Sequence, residues 1–240
     1  MGSRKFVVAV VVGLLCFLGV IFMFSPIFHL QEVIIIGYNT VEHDDIRQRL
    51  GVDYSTNLLL FSTNDARRQI MENLYISDVS FTRQMPGRLY VHVRERRLVA
   101  YIEHTPGSFL YMDEHGRVLE VRSFTSQPLP LVVGFNFTSF ALGEILDVPD
   151  DNAFNIVTQY AQHIYRHGLA GRVTYIDVSD TANTRILLGY VEFNVGGLRD
   201  AEEKVSIIAG IINEMPDAEH ARGFVDLREI NDEFFFEILT

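Results

Sequence analysis

The feature that most constrains this chain is an apolar run from Phe6 to Phe24, FVVAVVVGLLCFLGVIFMF, which carries no charge and is preceded by Arg4 and Lys5. At about 1.5 Å per residue, a helix of that length matches the ~30 Å hydrocarbon core of a bilayer. Phe6, Val12, Leu15, Phe17 and Phe24 are its candidate lipid-contacting residues. Basic residues precede the run, whereas acidic Glu32, Asp44 and Asp45 follow it, so the positive-inside bias puts residues 1–5 in the cytoplasm and everything after residue 24 outside. A secretory signal peptide shares the basic start and apolar stretch. This run exceeds the usual ~7–15 residue core of such peptides, and Phe24-Ser25-Pro26-Ile27-Phe28 lacks a small-residue cleavage pattern. An uncleaved anchor is therefore expected.

Beyond the anchor lie about 215 residues, enough for one large or two modest domains with their own cores. Two of the chain's 20 basic residues and none of its 31 acidic ones precede Ser25, which leaves 18 basic against 31 acidic residues and a net charge of −13 outside. That balance argues against nucleic acid and against broad adhesion to anionic lipid or acidic wall polymers. The single cysteine, Cys16, lies mid-anchor, so the exterior part has no intrachain disulfide, no cysteine-based zinc site and no thiol nucleophile.

Periodicity over 28–95 gives the order β-α-α-β-β. Val33-Ile34-Ile35-Ile36 is a β-branched strand closed by Gly37-Tyr38-Asn39, after which Thr40 is expected to cap a short helix with Ile46 and Leu50 inside. Thr63 is expected to cap a second helix with Ala66, Ile70 and Leu74 on its stripe. Two alternating strands, 79–83 and 89–93, flank Met85-Pro86-Gly87, where Pro-Gly predicts a type II turn. The rest is richer in strands. A meander covers 99–102, 109–112 and 117–121, its last two strands hinged at Asp113-Glu114-His115-Gly116, and an extended Pro128-Leu129-Pro130-Leu131 follows. A helix over about 151–167 carries Phe154, Val157, Ala161 and Ile164 on one face. Strands at 173–178, 185–188 and 190–195 precede a final helix with Val205, Ile208, Ile212 and Met215, stopped by Pro216. The last strands, Phe224 to Arg228 and Phe234 to Ile238, bring the sheet to the end of the sequence, where an edge could stay open. The fold class is α+β.

Several segments together resemble the bacterial cell-division family called FtsQ in Gram-negatives and DivIB in Gram-positives. They are the basic tail and anchor, Phe28 to Val33 leading into Ile36-Gly37-Tyr38-Asn39-Thr40, Asn57-Leu58-Leu59-Leu60-Phe61, and Arg83 to Leu89 followed by Val93-Arg94-Glu95-Arg96. Met112 to Gly116, Leu129-Pro130-Leu131, Gly197 through Lys204, and Val225-Asp226-Leu227-Arg228 continue the match. Leu98 stands where the family often has proline. The resemblance implies a POTRA domain over 25–96 and a β domain with embedded helices over 97–240. Its C-terminal strands would bind membrane-anchored coiled-coil partners of the FtsB/DivIC and FtsL types at the division septum, with septal synthase subunits as possible further partners. No cofactor is implied.

An open sheet edge presents unpaired N–H and C=O groups that an added strand can satisfy. With the resemblance, the expected docking site comprises Val225, Asp226, Leu227, Arg228, Glu229, Asn231, Phe234, Phe235 and Phe236, with Arg228 as the candidate for an interfacial ion pair. Without it, the phenylalanines read as core. Candidate catalytic groups are weaker. Asp113-Glu114-His115 sits in a predicted hairpin turn, Glu42-His43-Asp44-Asp45 suits the first turn of a helix, and His163 with His167 lacks a third metal ligand. Gly196-Gly197 lacks the rest of a phosphate loop, and Ala9 with Gly13 is a minimal helix-pairing pattern. The expectation is a non-enzymatic scaffold without metal or cofactor. The competing class is a membrane-tethered extracellular enzyme acting on the cell wall, which requires a deep pocket of convergent, pKa-perturbed groups. A translocation subunit would need a long series of barrel strands.

Overall fold

A computed structural model of the 240-residue chain describes residues 2–123, 128–214, 222–230 and 236–238. The backbone divides into two compact units, Met1–Arg96 and Arg97–Thr240.

The first unit begins with helix α1 (Gly2–Met23), whose Lys5–Met23 stretch is long and apolar enough to cross a membrane and whose side chains from Lys5 onward are exposed. Apolar side chains exposed around a whole helix fit lipid rather than water as the surrounding medium. A short 3-10 turn (Pro26–Phe28) leads into β1 (Glu32–Ile36), α2 (His43–Leu50), α3 (Thr63–Ile70), β2 (Ile76–Gln84) and β3 (Arg88–Glu95). This is the β-α-α-β-β order read from periodicity. The sheet order is β1-β3-β2, with β1 parallel and β2 antiparallel to β3. Ile46 and Leu50 of α2 and Ala66 and Ile70 of α3 share one core with Leu58, Val79, Leu89 and Val91. Burying each such aliphatic side chain is worth roughly 1.5–3 kcal/mol.

Four local expectations are corrected. Thr40 does not cap α2; the residue before that helix is Glu42, and the backbone N–H groups of Asn39, Thr40 and Val41 donate instead to the Glu95 carboxylate at 2.8–3.1 Å. For α3 the cap is Ser62, whose hydroxyl accepts from the Asp65 N–H, so Thr63 is already helical. Leu74 lies beyond the end of α3, half-buried in the turn toward β2. The β2–β3 turn is not type II: Gly87 has no positive φ, and the Met85–Pro86 bond is cis. Glycine is required at 87 for a different reason. A Cβ there would stand 2.9 Å from the His29 carbonyl oxygen, on backbone held close because the Gly87 carbonyl accepts from the N–H groups of Gln31 (2.7 Å) and Glu32 (3.2 Å).

The second unit contains β4 (Leu98–Thr105), β5 (Ser108–Asp113), β6 (Val118–Arg122), β7 (Leu131–Val133), α4 (Asp151–Arg166), β8 (Val173–Asp177) and β9 (Arg185–Leu188). It ends with β10 (Val191–Asn194), α5 (Ala201–Glu214), β11 (Gly223–Asp226) and β12 (Phe236–Ile238). These strands form one nine-stranded sheet in the order β12-β11-β10-β9-β8-β7-β4-β5-β6. The meander β4-β5-β6 is antiparallel, whereas β7–β8 and β10–β11 are parallel pairs, whose crossovers are supplied by α4 and α5. Both helices lay their apolar stripes on a shared core: Ile156, Val157, Tyr160 and Ile164 from α4, and Val205, Ile208 and Ile212 from α5. Phe154 is only partly buried against it. Met215 and Pro216, expected at the end of α5, lie outside the described residues.

Candidate partner-binding edge

The candidate site grows from the alternation Val225-Asp226-Leu227-Arg228. Val225 (1 % exposed) and Leu227 (0 %) point into the core, and Asp226 and Arg228 point out. On one side β11 runs parallel to β10, with Phe193 opposite Val225. On the other it runs antiparallel to β12, with Phe224 opposite Glu237 and Val225 opposite Phe236. β12 ends the sheet order, and among the described residues β11 is its strand partner.

Beyond β11, the Arg228 guanidinium grips Asp226, with Nε 3.0 Å from both carboxylate oxygens, and donates to Asn183 Oδ1 at 3.1 Å. Asn183 in turn donates to Asp180 and accepts weakly from Asn194, so the loop after β8, the end of β10 and the end of β11 share one polar chain. The hydrogen bond from Arg228 is the main reason the Asp226 carboxyl sits below its ordinary pKa. Beneath this surface, Lys204 of α5 is 1 % exposed and donates from Nζ to the Val195 carbonyl at 2.8 Å. The Tyr160 hydroxyl donates toward the carbonyls of Val195 (3.3 Å) and Gly197 (2.9 Å). Together they pin the 194–197 turn that leaves β10. Burial lowers the Lys204 pKa, with Asp200 opposing, and burial raises that of Tyr160.

The residues expected at the docking site are thus divided. Asp226, Arg228 and Glu229 share the exposed end of β11; Val225 and Leu227 supply core, with no side-chain surface to offer. Phe236 is the first residue of β12, and Asn231, Phe234 and Phe235 lie outside the described residues. Of the anchor residues, Phe6, Val12, Leu15 and Phe17 lie in α1 and Phe24 one position past it, all exposed. Lys204, Tyr160 and Asn183 were not singled out from sequence for this region. Lys204 carried a signal: it stands four residues before Ile208 on the apolar stripe of α5.

The weaker candidates have structural roles. Asp113 is buried, and its Oδ1 accepts the N–H groups of His115 and Arg117, both at 2.9 Å, which shapes the turn between β5 and β6. Asp45 bridges Arg49 and Asn73. Burial opposes, but those two hydrogen bonds prevail and lower its pKa. His163 lies partly buried on α4, one turn before His167, and burial lowers its pKa. Among the described residues no three His, Cys, Asp or Glu side chains gather as a metal site.

A family model described as "POTRA domain, FtsQ-type" matches residues 28–96. The chain is 23 % identical over 235 residues to the cell division protein DivIB of Clostridium botulinum strain Hall, covering 97 % of this chain and 91 % of that one. Against the DivIB of Clostridium tetani it is 20 % identical over 204 residues, 84 % of this chain and 77 % of the other. The DivIB of Staphylococcus aureus strain NCTC 8325 shares 32 % over 100 residues, 42 % of this chain and 23 % of that longer protein. The β-α-α-β-β unit thus matches the FtsQ-type POTRA model, and similarity to DivIB cell-division proteins runs along nearly the whole length, which supports a place beside the FtsQ/DivIB family.

Proposed function

We propose that this protein is a single-pass membrane scaffold of the division machinery, with a cytoplasmic N-terminus and both units outside at the septum. It captures a membrane-anchored coiled-coil partner of the FtsB/DivIC type, together with FtsL, along the β12 margin of the second unit. The observation that carries this reading is the position of β12 at the end of a nine-stranded sheet, paired to β11 on one side among the described residues. An incoming strand would satisfy the other side by main-chain hydrogen bonds, and Asp226, Arg228 and Glu229 would flank it with charge. Confinement of both proteins to one membrane raises their effective concentration, so modest contacts suffice. Control of septal wall synthesis is then indirect, through the partner, and the chain itself catalyses no reaction.

The test is capture of the coiled-coil partner by the full-length protein in membranes. Phe236→Lys in β12, with thermal melting unchanged, is expected to abolish capture; undiminished capture would remove the last strand from the site.

A further inference from the structure

We propose that the Asn57–Phe61 loop of the first unit is a second membrane contact, a shallow apolar foot in the interfacial zone of the bilayer that α1 spans; this rests on the single-span reading above. The end of a helix leaves carbonyls without intrahelical partners. Here the Met23 carbonyl accepts a hydrogen bond from Asn57 Nδ2 at 2.7 Å, across 34 residues of sequence. The Phe22 ring meets the Phe28 ring edge-on at 5.1 Å. Backbone bonds run from Leu58 N–H to the Phe28 carbonyl and from Leu30 N–H to the Thr56 carbonyl, both 2.9 Å, around a bridge between His29 and Asn57. The loop is therefore fastened to the chain where it leaves α1.

That attachment fixes its depth. If Lys5–Met23 fills the hydrocarbon layer, Met23 lies at its boundary, and Leu60, three residues after Asn57, lies within about 10 Å of that level. The interfacial layer on each side of the core is of the same order, roughly 5–8 Å thick. The loop's own bonds sort its leucines. Asn57 Oδ1 accepts the Leu59 N–H and the Asn57 carbonyl accepts the Leu60 N–H, while Leu58 is fully buried and Leu60 stays 48 % exposed. Phe24 and Ile27 are also exposed, by 63 % and 52 %. Three large apolar side chains in water at the mouth of a membrane helix find their natural solvent one layer down. The net negative charge outside the anchor makes the attachment apolar rather than electrostatic.

The test uses the full-length protein in vesicles of phosphatidylethanolamine and phosphatidylglycerol, with Cys16→Ser and single cysteines placed in turn at Val12, Ile27, Leu60 and Glu72. Each carries an environment-sensitive fluorophore. Quenching by lipids spin-labelled at shallow or deep positions is compared with quenching by aqueous iodide. The Val12 probe should be quenched by the deep label, and the Ile27 and Leu60 probes by the shallow label and poorly by iodide. The Glu72 probe, beyond the far end of α3, should be open to iodide alone. A Leu60 probe that behaves like the Glu72 probe, while Val12 is quenched at depth, overturns the foot and leaves the anchor standing. A Val12 probe open to iodide overturns the span, and the foot with it.

Discussion

Replacing Glu95 by glutamine tests whether one carboxylate at the end of β3 holds the turn that follows β1. Its two oxygens accept from Asn39 (2.8 Å), Thr40 (3.1 and 2.8 Å) and Val41 (2.9 Å), three N–H groups more than fifty residues away in sequence. Hydrogen bonds to a charged acceptor contribute about 1.5–3 kcal/mol each, about twice the neutral value, and they are not additive. The amide keeps one accepting oxygen but turns the second Thr40 contact into donor facing donor. A loss of about 2–3 kcal/mol follows for this half-buried group. Burial alone would raise the Glu95 pKa, but the three backbone amides outweigh it and hold the carboxyl below its ordinary 4.5. With the folded value lowered, the stabilisation is fully present above about pH 4.5 and is lost as pH falls through that lowered value. The assay is hydrogen exchange of the first unit's amides in the full chain, in membranes, at neutral pH and at pH 4. Glu95→Gln is expected to deprotect Asn39, Thr40 and Val41 at neutral pH and to remove most of the pH dependence there. A change under about 0.5 kcal/mol, with the pH dependence intact, would refute the reasoning.

Gly37 takes φ +91° and a Cβ there would lie 2.2 Å from the Val93 carbonyl oxygen, so Gly37→Ala is expected to lower first-unit stability by about 1–3 kcal/mol, read by the same exchange measurement. Lys204→Met keeps most of the side-chain volume and leaves the Val195 carbonyl to Tyr160, so urea unfolding at neutral pH is expected to change by less than about 1.5 kcal/mol. Because the folded Lys204 pKa is lowered, the unfolded chain binds more protons between that value and 10.5. Wild-type stability should therefore rise relative to Lys204→Met as pH climbs through that window.

Sequence made visible whatever depends on near neighbours. The β5–β6 turn is an example, since Asp113 bonds the amides two and four residues on. Helix stripes at Ile46 and Leu50, or Val157, Ala161 and Ile164, follow from 3.6-residue periodicity in the same way. Local pattern misleads where a distant group takes over a local role. Thr40 has the pattern of a cap, yet Glu95 takes the amides around it; Gly87 has the pattern of a turn residue, yet its constraint comes from the His29 backbone carbonyl. In the candidate site, alternation over 225–228 separates buried Val225 and Leu227 from exposed Asp226 and Arg228. That β10 would lie parallel to β11, making β12 the end of the sheet, depends on pairing across α5, which no local pattern encodes.

The most direct measurement of the central claim is photocrosslinking in dividing cells from probes at Glu237 and Ile238 of β12, compared with Val121 of β6 at the opposite end of the same sheet. Crosslinks to a membrane-anchored coiled-coil division protein from β12 and none from Val121 are expected. Crosslinks from Val121 with none from β12 would contradict docking at the β12 margin.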